Sequence, residues 1–175
     1  MLPARNRPDS TESPAPVTFT GVGAVLMVEI RELGDLLARL TPVEAIERLN
    51  GVASAIVSAV EKHGGTICQQ VAGAAVAYWP PAKISGSASV VIAAAQEAVE
   101  ASDGVLAASV SIGELALMLS PTKQPVLLGK AYHRAEETLS KARSGTVAID
   151  LTTFQTIPPD KLGKFVKRGD HAELA

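Results

Sequence analysis

The sequence has few cysteines, few aromatic residues and little net charge, and each shortage excludes a class of protein. Its single cysteine, Cys68, cannot form an internal disulfide, which fits a reducing compartment such as the cytoplasm. Aromatic residues make up 3% and the formal net charge is −2, so nothing points to nucleic acid or an anionic membrane as a partner. No apolar run reaches the roughly 18 residues that a spanning helix needs. We therefore expect a cytoplasmic protein.

The remaining composition is that of a globular domain. Hydrophobic residues make up 47% of the 175 residues and charged residues 19%, which is enough apolar material for one domain with a core. The first residues differ, because prolines and polar side chains dominate there and bury too little surface to offset the cost of ordering. We expect residues 1–20 to form a flexible tail and residues 21–175 to form the domain.

A strand and a long helix are predicted first in the domain. The apolar, valine-rich run over residues 22–30 favours a buried strand. Thr41, Pro42 and Glu44 then form a helix-start pattern with a capping box, and Gly64-Gly65 ends the helix. Apolar residues at steps of three and four predict the face that packs on the core. That face consists of Val43, Ile46, Leu49, Ala53, Ile56, Val57 and Val60.

The rest of the domain is predicted to contain further strands and helices. Thr66–Val71 and Ala74–Trp79 read as two strands of a hairpin around Ala72-Gly73, with Cys68, Tyr78 and Trp79 as packing residues. Further strands are expected over 105–112, 114–119 and 146–149, a loop over 120–125, and helices over 87–101, 130–143 and 151–157. Helices among strands without strict alternation predict an α+β fold, with one face of the sheet covered by helices as in a ferredoxin-like core.

Several nucleotide and hydrolase motifs are missing from the sequence. It contains no phosphate-binding loop of the Walker type and no Gly-x-Ser-x-Gly elbow. With one cysteine, a paired Cys-x-x-Cys zinc site is excluded as well. These absences remove the commonest motif-based assignments.

Three segments, in this order, resemble the class III adenylate and guanylate cyclase homology domain. They are Val25-Leu-Met-Val-Glu-Ile-Arg31, the helix from Leu40 into Glu61-Lys-His-Gly-Gly-Thr66, and Leu128-Gly-Lys-Ala-Tyr-His-Arg-Ala-Glu-Glu137 with the strand after it. The resemblance covers nearly the whole folded part. It implies a ferredoxin-like palm of the nucleotide cyclase type, with a central, mainly antiparallel sheet and helices packed on it.

The chemistry of that family needs a specific set of side chains, contributed by two subunits. Two aspartates hold two metal ions that stabilise the triphosphate and activate the ribose hydroxyl. A lysine and a polar residue recognise the purine, an asparagine positions the ribose, and an arginine neutralises charge in the transition state. The resemblance therefore also implies a dimer, of identical or of different chains, through the cyclase-type interface.

Carried over position by position, the family's functional residues are replaced in this sequence. The two metal aspartates fall on Glu29 and Gly73, the purine lysine on Gln69, the purine-selecting residue near Gln124, the ribose asparagine on His133 and the arginine on Glu137. Glu29 is the one candidate ligand left, and Glu137 reverses the charge beside a triphosphate. We expect no catalytic residue, no bound metal and no cofactor. The hairpin motif of the neighbouring diguanylate cyclases would fall on residues 71–75, again without an acid.

These substitutions leave three hypotheses open. The leading one is a catalytically inactive domain, a pseudoenzyme that acts in signal transduction as a regulatory or dimerisation module. The second is a sensor that binds a nucleotide or another small ligand in the old cleft without turnover. The third is a divergent active cyclase. His133 and Glu137 share one face of a predicted helix, and we expect a solvated pair there rather than a metal site.

Overall fold

The structure of the chain is a computed structural model, which describes residues 17–84, 88–162 and 164–174. The strands are β1 (Val17–Ile30), β2 (Thr66–Val71), β3 (Ala74–Trp79), β4 (Leu106–Leu119), β5 (Pro125–Leu128), β6 (Val147–Asp150), β7 (Phe165–Arg168) and β8 (His171–Leu174). The helices are α1 (Leu33–Ala38), α2 (Pro42–Lys62), α3 (Pro81–Ile84), α4 (Ser89–Ala101), α5 (Lys130–Lys141), α6 (Leu151–Phe154) and α7 (Pro159–Leu162). None of the helices in these ranges has both the length and the apolar character that crossing a membrane requires.

The strands form one mainly antiparallel sheet with β1 and β4 at its centre. Its order is β2-β3-β1-β4-β6-β8-β7, and β5 pairs with the last residues of β4. β4 and β6 run parallel, whereas the other neighbouring strands run antiparallel. Near the end of β1, Glu29 lies opposite Ala74 of β3 and Ala107 of β4. The α+β fold predicted from the sequence is confirmed.

The sheet is covered by helices on both faces, so the expectation of helices on one face was wrong. Leu26 and Val28 of β1 belong to the core beneath α2 and α4, whereas Val25 and Met27 face α5. Successive side chains of a strand point to opposite faces, and here both sets are apolar. Each face of the central strands therefore needs its own cover.

Helix α2 begins as predicted and buries part of the predicted apolar face. The capping box is confirmed: the Thr41 side chain accepts from the Glu44 N–H, and the Glu44 carboxylate accepts from the Thr41 N–H at 2.8 Å. The buried residues of the helix are Val52, Ile56, Ala59 and Val60. Val43 and Ile46, predicted to pack on the core, are exposed. The helix carries two overlapping apolar stripes, and packing against α4 and the sheet selects only one of them.

The hairpin after α2 has the predicted bounds in both strands. Gly73 in its turn has a φ of 79°, a conformation that glycine adopts without strain. Trp79 is fully buried, and its indole N–H donates to the His63 carbonyl at 2.8 Å. A Cβ on Gly65 would overlap the Trp79 ring, so the Gly-Gly pair ends the helix and also makes room for the indole.

Other predicted boundaries agree only in part. Helices α4, α5 and α6 and strand β6 match the predictions apart from their ends. β4 is one continuous strand, so the predicted break at Gly113 was wrong. Gly113 pairs with Gly23 of β1, and a Cβ there would meet the Arg134 guanidinium at 2.6 Å. Close packing, rather than a turn, is the reason for a glycine at this position.

The two ends of the domain also differ from expectation. β1 already starts at Val17, so residues 17–20, assigned to the tail from the sequence, belong to a strand. Residues 1–16 lie outside the described residues, as do residues 85–87, which include the predicted first residue of the helix over 87–101. After residue 157, where the sequence pattern is weak, α7, β7 and β8 complete the fold.

Candidate active site

A cavity of about 750 Å³ lies on the α5 side of the sheet and marks the candidate site. The end of β1, the β2–β3 hairpin, the segment around Gln124 and the last turns of α5 surround it. Three residues that the sequence analysis singled out, Glu29, Gln69 and Gln124, line this cavity together. Residues far apart in the chain thus meet at one cavity.

The carboxylate of Glu29 is already engaged by a cation within the chain. Arg31 Nη1 lies 2.5 Å from Glu29 Oε1, and both side chains are partly exposed to the cavity. The same guanidinium donates from Nε to the Ala142 carbonyl at 3.1 Å and from Nη2 to the Leu139 carbonyl. Arg31 thus joins the end of β1 to the C-terminus of α5, with all three nitrogens in use.

Gly73 offers no ligand to the cavity and leaves little room for one. It lies in the hairpin turn, outside the cavity lining. A Cβ there would lie 3.2 Å from a methyl group of Leu33 and 3.4 Å from Ile30 Cδ1. A longer side chain at this position would therefore need Leu33 to move.

His133 and Glu137 lie on the exposed side of α5, away from the cavity of this chain. The ion-pair partner of His133 is Glu136, with Nδ1 and Oε2 4.0 Å apart, and not Glu137 as expected. Glu136, by contrast, lines the cavity together with Leu139 and Ser140. The residues of α5 that face the cavity are thus not the two that were assigned from the resemblance.

The donor set does not fit two metal ions. Glu29 is paired with Arg31, and Gly73 has no side chain. Across the described ranges, no three His, Cys, Asp or Glu side chains are grouped so that they could hold a metal ion. Magnesium sites use several oxygen ligands, and a single carboxylate already paired with a guanidinium is not such a site.

Cys68 lines the cavity as a buried packing residue, in agreement with the sequence analysis. Its thiol donates to the Val76 carbonyl at 3.3 Å. Burial raises the pKa of the Cys68 thiol to about 11, more than the hydrogen bonds from its own and the Gln69 backbone lower it. The thiolate, which is the reactive form, is therefore disfavoured near neutral pH.

Two polar features of this region were missed from the sequence. Arg31 could have been found from the sequence. It lies two positions after Glu29, and residues two apart in a strand share a face. The second feature is the buried carboxylate of Asp150, which accepts from the Ser111 hydroxyl at 2.5 Å and the Thr153 hydroxyl at 2.6 Å. Arg134 Nε of α5 lies 3.2 Å from Asp150 Oδ1 without a hydrogen bond of its own. This cluster fixes α5 on the sheet.

Comparison with solved structures identifies the fold. The catalytic core of a rhodopsin-guanylyl cyclase in complex with ATPαS superposes with a TM-score of 0.71 at 15% identity, covering 89% of this chain and 97% of that one. The adenylyl cyclase CyaB from P. aeruginosa gives 0.71 at 16% identity, covering 90% and 95%. A dimeric guanylyl cyclase domain from Blastocladiella emersonii gives 0.75 at 13%, covering 91% and 96%.

Sequence comparison adds nothing to this structural likeness. No family model matches the chain, and no curated protein is similar to it at a significant level. The identities of the structural neighbours are low, so the likeness concerns the fold. The fold implied by the sequence resemblance is thereby confirmed.

Proposed function

Starting from the fold of class III nucleotide cyclase catalytic domains, which this chain has, we propose that it is a catalytically inactive cyclase-like domain. In this proposal it acts as a regulatory or dimerisation module in signal transduction. The observation that carries the proposal is the ion pair between Glu29 and Arg31, which occupies the remaining carboxylate of the metal site with an internal cation.

Electrostatics at this pair supports the loss of activity. A divalent cation approaching Glu29 would have to displace Arg31 and would be repelled by its charge at close range. Displacement would also leave the Ala142 carbonyl without its donor and remove the charged donor of the Leu139 carbonyl. A metal ion would thus gain one carboxylate ligand, whereas Arg31 would lose its ion pair with Glu29 and its two hydrogen bonds to carbonyls.

The residues at positions 73 and 137 also oppose catalysis. Gly73 contributes no second carboxylate, so two ions could not be bridged. Glu137 presents a negative charge on α5 where the family has the arginine that stabilises the transition state. A triphosphate would therefore meet neither the metal charge nor the guanidinium that its cyclisation requires.

An activity assay tests the proposal directly. The purified chain is incubated with ATP or GTP and Mn²⁺, and we expect no cyclic product above the protein-free background. A cyclase domain of known activity, assayed in parallel, shows that the assay detects cyclic product. Product that disappears in Glu29→Ala but persists in Glu47→Ala, an exposed glutamate on α2, would establish a divergent active cyclase instead.

The dimeric part of the proposal is supported by the neighbours, which include a dimeric cyclase domain as well as monomeric ones. We expect this chain to associate through the cyclase-type face that carries the cavity. Light scattering over a range of concentrations tests this. A strict monomer at the highest concentration would contradict it.

A second candidate function is a ligand sensor, and the cavity itself favours it. Gln69 and Gln124 bring neutral amide donors and acceptors to the same 750 Å³ space. Such a lining suits a weakly charged heterocycle better than a triphosphate. Calorimetry with nucleosides, nucleoside monophosphates and cyclic nucleotides tests this, with Gln69→Ala against the exposed control Gln155→Ala. Absence of heat from every compound would eliminate this candidate.

A further inference from the structure

The charged side chains that line the candidate-site cavity do not balance. Among the described lining residues, Glu29 and Glu136 are acidic, whereas Arg31 is the one basic residue. Two negative charges and one positive charge leave the lining with one excess negative charge at neutral pH. A bound ligand would therefore meet a negative potential in this cavity.

The single positive charge of the lining is already matched within the chain. The Arg31 guanidinium pairs with Glu29 and donates to the Leu139 and Ala142 carbonyls. These carbonyls lie at the C-terminal end of α5, which carries a partial negative charge. An anionic ligand would have to break these contacts to reach the guanidinium, so the cavity disfavours anions.

Glu136 is the carboxylate of the lining that remains available. In the described part of the chain it pairs with no lysine or arginine, and its ion-pair contact is with His133. His133 Nδ1 lies 4.0 Å from Glu136 Oε2, which is too long for a hydrogen bond. The carboxylate can therefore accept hydrogen bonds from a ligand in the cavity.

Much of the remaining cavity wall is apolar. Met27 of β1, Val76 of β3, Val126 of β5 and Leu139 of α5 all contribute to it. Such a wall favours a ligand with an apolar body, because contact with it removes apolar surface from water. No described lining residue is aromatic, whereas quaternary ammonium groups are typically held by aromatic cages. The lining thus suits an ammonium group that donates hydrogen bonds.

We propose that the cavity binds an organic ammonium ion, a primary or secondary amine with an apolar body, whose nitrogen donates to the Glu136 carboxylate. This inference rests on the proposed ligand-sensor function and names the class of its ligand. The Glu136 side chain is 66% exposed, so water screens its charge. The charge therefore sets the preference among ligands, and contact of the apolar body with Met27 and Leu139 adds affinity.

Calorimetry of the full chain with three related compounds tests the charge preference. Phenylbutylamine, phenylbutanol and phenylbutyrate share one apolar body and carry a cationic, a neutral and an anionic head group. We expect the amine to bind about tenfold more tightly than the alcohol, and the carboxylate to bind most weakly. Equal affinities for the amine and the alcohol, tighter binding of the carboxylate, or heat from none of the three would overturn the proposal.

Removing the charge of Glu136 locates the ammonium group. Glu136→Gln keeps the size of the side chain and is expected to weaken binding of the amine about fivefold, with the alcohol unchanged. Glu47→Gln makes the same change in net charge on the exposed face of α2 and is expected to have no effect. Equal losses in the two variants, or no loss in Glu136→Gln, would overturn the proposal.

Adding a carboxylate to the lining gives a test that misfolding cannot imitate. Gln124 is exposed and lines the cavity, so Gln124→Glu is expected to tighten binding of the amine about threefold. Gln155→Glu, outside the lining, is the matched control and is expected to change nothing. An amine affinity that Gln124→Glu leaves unchanged would overturn the proposal.

Failure of this inference can be distinguished from failure of the proposed function. Heat from nucleosides but not from the amine would retain the sensor and overturn the ammonium ligand. Cyclic product in the activity assay would instead refute the inactive domain, whereas the amine series would still report on the charge preference of the cavity.

Discussion

At the scale of single residues, Arg31 links the stability of the domain to the state of its candidate site. Its guanidinium neutralises Glu29 and donates to the Leu139 and Ala142 carbonyls. Those carbonyls form the negative end of α5, where a cation is favourable. One side chain therefore both caps a helix and occupies the carboxylate that a metal ion would need.

Replacing Arg31 by methionine keeps much of the stem but removes these contacts. We expect Arg31→Met to lower the free energy of unfolding by about 2 kcal/mol, because two charged hydrogen bonds are lost and the Ala142 carbonyl loses its donor. Urea denaturation measures the change. Arg39→Met, at an exposed position after α1, is expected to stay within about 0.5 kcal/mol. Similar losses in both variants would show that the contacts of Arg31 are unimportant.

Two glycines of the long helix and its end allow a matched comparison. Gly65→Ala places a methyl group against the Trp79 ring and is expected to cost about 2 kcal/mol through overpacking. Gly51→Ala meets nothing within 4 Å and is expected to stabilise α2 by about 0.5–1 kcal/mol. Thermal or urea unfolding of both variants gives the sign of each change in stability. A neutral Gly65→Ala would contradict the packing described for Trp79.

At the scale of elements, the last hairpin is held to the sheet by a buried carboxylate. Glu173 of β8 accepts from Arg143, with Nη2 and Oε2 2.5 Å apart, and Arg168 Nε lies 3.3 Å from the same oxygen. Burial raises the pKa of Glu173. The hydrogen bond and charge of Arg143, together with the charge of Arg168, lower this pKa by more than burial raises it. The net effect is a lowered pKa.

The lowered pKa gives a pH dependence with a defined sign. A carboxyl whose pKa falls on folding stabilises the domain above its unfolded value, 4.5 for Glu173, and loses that contribution as pH falls through the folded value. We expect Glu173→Gln to cost about 1–2 kcal/mol at pH 7. The difference from the unsubstituted chain should shrink as the pH falls below 4.5. Glu47→Gln, exposed on α2, should show no such trend, and a gap that persists in acid would refute the assignment.

At the scale of the whole molecule, one sheet joins two cores. β1 contributes Leu26 to the core under α2 and α4, and Val25 to the core under α5. Since the same backbone supports both cores, neither can be lost without exposing the other. We therefore expect one cooperative unfolding transition.

A single core substitution tests this coupling. Leu26→Ala removes a fully buried side chain and is expected to cost about 3 kcal/mol. Fluorescence of Trp79, the one tryptophan of the chain, reports on the first core, and far-ultraviolet circular dichroism reports on the whole sheet and its helices. Both midpoints should shift together, whereas Val166→Ala on the surface should leave them unchanged. Separate transitions would show that the two faces unfold independently.

Much of the fold was predictable because its signals are local. The capping box at Thr41, the hairpin around Gly73 and the strand ending at Ile30 follow from residues within a few positions of one another. The candidate site was predictable only in part. Glu29, Gln69 and Gln124, which the sequence analysis singled out, line one cavity, but Arg31 as the partner of Glu29 was missed.

The sequence by itself determined the order and type of most elements, because periodicity, caps and turns act over short distances. Only the tertiary structure decided which of two apolar stripes α2 buries, that α5 closes the second face of the sheet, and that Glu29 pairs with Arg31. These outcomes depend on contacts between segments far apart in the chain. Local pattern shows that a face is apolar, but packing decides what covers it.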